Sequence, residues 1–190
     1  MRTLLTAMLL LSLWLVPAGM NARPSDTQQR ARELAAFFNK SKHKVKEKRG
    51  FRIEVNVEVR SEPVARANAR EYAGTYEADS DYPFRLEVST DGRINASGAE
   101  PGPDKTRHFT LKDAKIDGAL LTAVKVYEDG ATEKFEAVFI KRTTSSSTSE
   151  NGELTQDGDT AFGLGVVFDP PKVESDYGFT LTRLFYEFQQ

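Results

Sequence analysis

Two histidines, His43 and His108, and no cysteine make up the soft-ligand inventory of this chain. His43 lies in a lysine-rich run, and His108 alternates out of phase with Phe109 and Leu111, which points it to solvent. With no Cys and no paired His spacing, a zinc site is not expected. Asp79 with Asp81, and Asp157 with Asp159, are each a bare Asp-x-Asp lacking the Gly and distal Glu of a calcium loop, so they read as surface turns. No Gly-x-Ser-x-Gly elbow occurs. Ser41 has Lys44 three residues on, but in a basic run without the companion motifs of penicillin-recognising enzymes. Gly163-x-Gly165 lacks the third Gly and the following helix of a dinucleotide loop, and suits a bulged strand. Glu54 and Glu58 share a strand face with other charges, whereas glycoside hydrolysis needs a raised-pKa acid in an apolar cleft. The expectation is therefore no catalytic residue, no metal, no cofactor and no enzyme.

The elements that would position any site are mostly strands. Five Asp-Gly or Asn-Gly pairs punctuate the chain: Asp91-Gly92, Asp117-Gly118, Asp129-Gly130, Asn151-Gly152 and Asp157-Gly158. Such pairs favour two-residue type I′ hairpin turns, because both central positions need positive φ. Phe51, Ile53, Val55, Val57 and Val59 alternate with Arg52, Glu54, Asn56, Glu58 and Arg60, which predicts a half-buried strand. Ser61 to Arg70 is a connector with a short helical turn after Pro63. Further strands are predicted over 84–88, 94–96, 109–111, 119–128, 132–141, 161–168 and 178–188. Glu100 to Asp104, with two Pro and one Gly, predicts a loop. Residues 143–159 are Ser/Thr-rich and nearly devoid of apolar side chains, which predicts a mobile excursion, disordered at its tip.

Ahead of the strands, Ser25 with Gln28 forms a capping-box pattern, and Ala31, Leu34, Ala35 and Phe38 fall at helical spacing. Lys40 to Arg49 holds six Lys or Arg and one apolar residue, Val45. It reads as a helix C-terminus fading into a solvated linker, with a patch for anionic lipid or another polyanion as the alternative. The first 22 residues have the parts of a secretory leader: Arg2, an apolar run from Leu4 to Val16, and small residues at Ala18, Gly19 and Ala22. That run of 13 residues is shorter than the roughly 20 a membrane-spanning helix needs. Cleavage is expected after Ala22, or after Ala18. The leader carries one charge, so its loss moves the formal net charge from −2 to −3. A near-neutral, slightly acidic domain is a poor fit to nucleic acid, which takes clustered cations. An exported chain without cysteine leans towards a bacterial periplasmic or released protein.

Glu71-Tyr72-Ala73-Gly74-Thr75-Tyr76-Glu77, followed by Phe84-Arg85-Leu86-Glu87-Val88 and Asp91-Gly92-Arg93-Ile94, carries a resemblance. It resembles the opening of the lipocalin-like domain that follows the catalytic domain in many bacterial beta-lactamase-type serine hydrolases and related peptidases. The resemblance implies a small antiparallel barrel, itself non-catalytic, that packs on or assists a catalytic partner. Here only a short helix and one strand precede the motif, so the module would act alone or with a separate chain.

The expected architecture is mainly β: an antiparallel lipocalin-like barrel of about 7–8 strands with an N-terminal amphipathic helix. Its organisation is a signal peptide at 1–22, helix and basic linker at 23–49, and a barrel domain at 50–190 with a mobile loop at 143–159. Arg183 and Glu187 on the last strand are expected as a charge pair at a barrel mouth. The expected function is an exported, periplasmic or secreted, non-catalytic binding or accessory module. Tyr72, Tyr76 and Phe84 would line a cavity for a small apolar or amphipathic ligand, or would simply fill a solid core. The alternative is an envelope interaction module docking through residues 26–38; a small outer-membrane barrel or an enzyme ranks below both.

Overall fold

The computed structural model describes residues 25–78, 82–102, 105–174 and 179–189. The leader and the Asp79/Asp81 pair therefore lie outside the described residues. Helix α1 (Asp26–Ala36) starts at the expected capping box: Ser25 Oγ accepts the Gln28 N–H and the Gln28 side chain accepts the Ser25 N–H, both at 3.2 Å. Ten strands follow: β1 (Lys40–Lys48), β2 (Phe51–Pro63), β3 (Gly74–Ala78), β4 (Tyr82–Val88), β5 (Ile94–Glu100), β6 (Arg107–Asp117), β7 (Leu120–Tyr127), β8 (Thr132–Glu150), β9 (Glu153–Glu174) and β10 (Phe179–Gln189). A single 3-10 turn, Ala69–Tyr72, precedes β3.

Strands β3 to β10 close an antiparallel eight-stranded barrel, in the order β8-β7-β6-β5-β4-β3-β10-β9 with β9 returning to β8. Alternation sets two cores. Phe135, Ala137 and Phe139 of β8 point into the lumen with Tyr72, Tyr76, Phe84, Phe109, Leu164 and Tyr186. Val138 and Ile140 point outward, where Ala31, Leu34, Ala35 and Phe38 cover them. The helix thus buries its apolar stripe on the barrel wall, and burial of Leu34 and Phe38 alone contributes about 1.5–3 kcal/mol each. On β4 to β6 the outer wall is polar, with Arg85, Glu87, Asn95, His108 and Lys112 exposed. An apolar lumen under a polar wall is the reverse of the pattern a lipid-embedded barrel requires. Among the described residues no helix is long and apolar enough to cross a membrane.

The principal departure from expectation is a projecting blade. Residues 143–159 form the outer part of a continuous β8–β9 ladder, which runs from Ala137↔Val166 to Glu150↔Glu153. The expected linker at 40–49 is β1, paired along its whole length with β2, from Lys40↔Val59 to Lys48↔Phe51. Strand β2 in turn pairs with β8 from Ile53↔Glu150 to Pro63↔Ile140. The result is a four-stranded sheet, β1-β2-β8-β9, that extends past the barrel. The apolar row of β2 is accordingly half-exposed on this blade and is absent from the lumen.

Turn chemistry is also more varied than two-residue pairs. Asn151-Gly152 is the expected type I′ turn, with φ of 48° and 94°, and Arg49-Gly50 is a second, with 55° and 81°. Asp91-Gly92 and Asp129-Gly130 end three-residue loops, closed by Gly92 N–H to Ser89 O and Gly130 N–H to Tyr127 O. Asp117 closes β6, leaving Gly118-Ala119 as the turn, and Asp157-Gly158 lies inside β9. Gly163 and Gly165 are in regular register; the bulge on that edge lies between Leu181 and Arg183 of β10. The two glycines are sites of close approach: a Cβ on Gly165 would sit 2.7 Å from the Phe38 ring. Gly165→Val is expected to push Phe38 and α1 off the wall and lower stability by about 2–3 kcal/mol. Chemical denaturation with far-UV circular dichroism reads that loss.

Candidate functional site

Three regions gather the residues that could contact or transform something: the lumen, its far mouth and the blade. In the lumen, Tyr72, Tyr76 and Phe84 each expose 0% of their surface. A side chain lining a ligand-sized void would expose area to it, so these rings are filling. Tyr72 stacks on Phe139 at 4.0 Å, Tyr76 meets Phe188 edge-on at 5.1 Å, and Phe84 lies 5.6 Å from Tyr186. Their hydroxyls are used within the chain. Tyr76 donates to Tyr72 O, while Tyr72 Oη accepts the Arg66 N–H at 2.6 Å and lies 2.8 Å from Gly118 O and 2.9 Å from Val64 O. Tyr72 thereby ties the connector after β2, residues 64–72, across the mouth nearest the blade. Arg66 caps this plug, 4.3 Å from the Phe162 ring centroid. All three rings are thus buried against neighbouring aromatic side chains.

At the far mouth the ends of β5, β7, β8 and β9 bring together Glu100, Lys125, Tyr127, Glu133 and Lys172. The Glu100 carboxylate, fully buried, accepts from Lys125 and Lys172 Nζ and from Tyr127 Oη at 2.6 Å. Tyr127 Oη is also 2.6 Å from Glu133 and 3.2 Å from Lys172. Lys125, 1% exposed, sits among rings, 4.8 Å from the Phe109 centroid and 5.0 Å from Phe135. Burial pushes the Glu100 carboxyl up, but the Lys125 charge and the hydrogen bonds from Lys125, Lys172 and Tyr127 outweigh it and hold it below the usual range. Burial pushes Lys125 down, with Glu100 partly restoring it. Both oxygens of Glu100 are consumed by these partners. Among the described residues the cluster ties the ends of β5, β7, β8 and β9 together at this mouth.

No hydropathy pattern marks Glu100, which the sequence places in a Pro/Gly loop. The one available signal is Lys125, a lone charge in the otherwise uncharged run from Ala119 to Tyr127. Arg183 and Glu187 are not paired with each other: Arg183 lies 5.9 Å from the Phe38 ring centroid, and Glu187 is 4.0 Å from Arg142. His108 is exposed as expected. His43 contacts Glu54 at 3.0 Å across the blade. Asp157 and Asp159 stand on the edge of β9, each accepting the N–H of its following residue.

The blade is the third region. Every residue of β1 and every residue of β9 from Glu153 to Thr160 is exposed. Register puts Lys40, Lys42, Lys44, Lys46 and Lys48 on one face beside Phe51 to Val59, then Thr144, Ser146 and Thr148, then Glu153, Asp157 and Asp159. The opposite face carries the internally paired charges, Arg52 with Glu54 at 3.4 Å and Arg60 with Glu58 at 2.8 Å. On that face an open depression of about 580 Å³ is lined by Asn56, Glu58, Ser145, Ser147, Gln156 and Gly158. No protein-family model, curated protein or solved structure matches the chain.

Two outcomes follow from the far mouth. Glu100→Gln leaves Lys125 buried beside a neutral amide and is expected to cost about 3 kcal/mol or more. Glu133→Gln, at a half-exposed position, should stay within about 1 kcal/mol; thermal unfolding separates the two. Burial also raises the phenol pKa of Tyr72, Tyr76, Tyr127 and Tyr186 above the ordinary value. A folded-state pKa above the unfolded one means their stabilising contribution is complete below about pH 10 and is lost as the pH rises further. Tyrosinate absorbance from these four should therefore appear together with unfolding in an alkaline titration.

Proposed function

We propose that the chain is an exported, non-catalytic binding or accessory module whose contact surface is the blade. The observation that carries this reading is the blade itself: a four-stranded sheet, exposed on both faces, with two backbone edges unpaired among the described residues. Exposed strand edges invite pairing and are costly to keep unless they are used or guarded. The two other surfaces offered by the sequence are occupied. The lumen is filled by Tyr72, Tyr76, Phe84 and their neighbours, which argues against carriage of a small apolar ligand there. Helix α1 spends Ala31, Leu34, Ala35 and Phe38 on the barrel wall, leaving Phe37 as its exposed large apolar residue.

The non-catalytic part of the reading rests on the far mouth, where the closest gathering of titratable groups is consumed by its own contacts. The resemblance of residues 71–94 to barrel domains that pack on or assist a catalytic domain agrees with an accessory role. Export rests on the leader-like first 22 residues.

Photo-crosslinking residues placed at Ser147 on the blade, Arg32 on the helix and Arg85 on the barrel wall test the reading in the native cell. Protein adducts are expected from position 147 and not from 32 or 85. Adducts confined to position 32 would move the contact to the helix. Native mass spectrometry is expected to show no small-molecule mass that denaturation releases; a reproducible one would restore the carrier reading.

A further inference from the structure

The two free edges of the blade are complementary to each other. On β1 the five lysines at even positions form no ion pair among the described residues, whereas His43, on the other face, is in hydrogen-bond contact with Glu54. On β9 the same face presents Glu153, Asp157 and Asp159. A second β1 brought against β1 would set lysine beside lysine, and β9 against β9 would set acid beside acid. Both are destabilising as direct cross-strand neighbours. Only β1 against β9 matches, and within one blade those edges lie on opposite sides, about 14 Å apart across three strand spacings.

Backbone geometry allows the match. The type I′ turns make Lys48↔Phe51 and Glu150↔Glu153 hydrogen-bonded pairs, and bonded and non-bonded pairs alternate from there. Ser41, His43, Val45 and Glu47 of β1 therefore aim their N–H and C=O groups outward, as do Leu154, Gln156 and Gly158 of β9. Chain direction alternates across β1-β2-β8-β9, so a further β1 laid beside β9 is antiparallel to it.

We propose, building on the blade as contact surface, that β1 of one copy pairs with the outer part of β9 of a second copy, with Val45 opposite Leu154. That register sets Lys40 against Asp159, Lys42 against Asp157 and Lys46 against Glu153, at non-hydrogen-bonded positions where side chains lie closest. On the other face it joins two of the exposed large apolar residues of the chain, Val45 at 45% and Leu154 at 62% exposure. Shifting by two residues keeps the alternation but separates Val45 from Leu154. The contact is head-to-tail and leaves one edge free at each end, so it propagates. Sheet twist of about 20–25° per strand turns each added copy by about 80–100°, which carries the barrels apart.

Sedimentation velocity on the purified protein tests this at rising concentration and at low and high salt. Concentration-dependent association is expected, weakened by salt. Lys42→Glu with Lys46→Glu on one edge, or Glu153→Lys with Asp157→Lys on the other, should weaken it by about tenfold or more. Mixing the two reversed variants should restore it, since each then offers the edge the other lacks. The protein has no cysteine, so Val45→Cys and Leu154→Cys variants, mixed and oxidised, report the register. Disulfide-linked heterodimers are expected to dominate over either homodimer. A wild-type protein monomeric at all concentrations, association indifferent to charge reversal, or homodimers equal to heterodimers would overturn the proposal. Blade crosslinks to another protein, with the purified chain monomeric, would overturn self-pairing while leaving the blade as contact surface.

Discussion

The antiparallel ladder between β8 and β9 is the constraint on which the rest of the structure depends. Its inner part, from Ala137↔Val166 to Arg142↔Ala161, closes the barrel; its outer part, to Glu150↔Glu153, is the spine of the blade. One pair of long strands therefore belongs to two environments. Inside, alternate residues are Ala137, Phe139 and Leu164, and the ladder is held by the packing of a filled lumen. Outside, the same alternation continues through Thr143, Ser145, Ser147 and Ser149 opposite Thr160, Gly158, Gln156 and Leu154, and little apolar area is removed from water. The blade relies on backbone hydrogen bonding, on β2 laid beside β8, and on two type I′ turns that fix register where packing does not. Because the ladder is continuous, the barrel anchors the blade's register: a slip of one residue outside would turn Phe139 and Leu164 out of the core.

That division explains what was legible in the sequence. Strand β4, whose apolar face turns to the lumen, alternates visibly, and the capped helix shows its apolar spacing, whereas β7 and the stretch from Ala137 to Ile140 read as largely apolar runs bounded by turn pairs. The blade was hidden because its alternation is written in polar residues. Lys40, Lys42, Lys44, Lys46 and Lys48 recur with the period of two that defines a strand, and Arg49-Gly50 follows as a turn. A search for apolar periodicity sees only a charge run. Thr143 to Ser149 likewise lacks apolar residues, but Thr favours strands and Asn151-Gly152 marks the hairpin tip. In β2 the apolar alternation was real and its meaning differed, since the row covers a sheet face beside lysine stems and makes no part of the core.

The site residues show the same limit from the other side. Tyr72, Tyr76 and Phe84 are correctly apolar and inward, yet inward position does not distinguish a lined cavity from a solid one. That depends on neighbours: Phe109, Phe135, Phe139, Phe162 and Phe188, which pack against these rings, come from strands distant in sequence. Glu100 was invisible for a related reason. Its Pro/Gly surroundings suggest a solvent loop, while the partners that make its burial tolerable, Lys125 and Lys172, lie 25 and 72 residues away. A buried carboxylate is stable only with such partners, so its role is a property of the closed barrel and of no local segment.

The lysine edge carries a tension that bears on how the molecule works. Lysines on an edge strand are a common guard against unwanted pairing, since they repel a like edge and resist burial. Here the guard is selective. All five lysines occupy one face of β1, none is neutralised by its own blade, and the far edge of the same sheet presents acids on that same face. A guard built only to repel would need no such arrangement on the opposite edge, and would not leave Val45 and Leu154 exposed on matching backbone positions. Complementary edges turn general protection into discrimination: like edges are refused and an alternating acidic strand is admitted. Affinity then comes from backbone hydrogen bonds common to any strand, while the choice of partner comes from charge, so ionic strength controls the contact more strongly than any change in the barrel core.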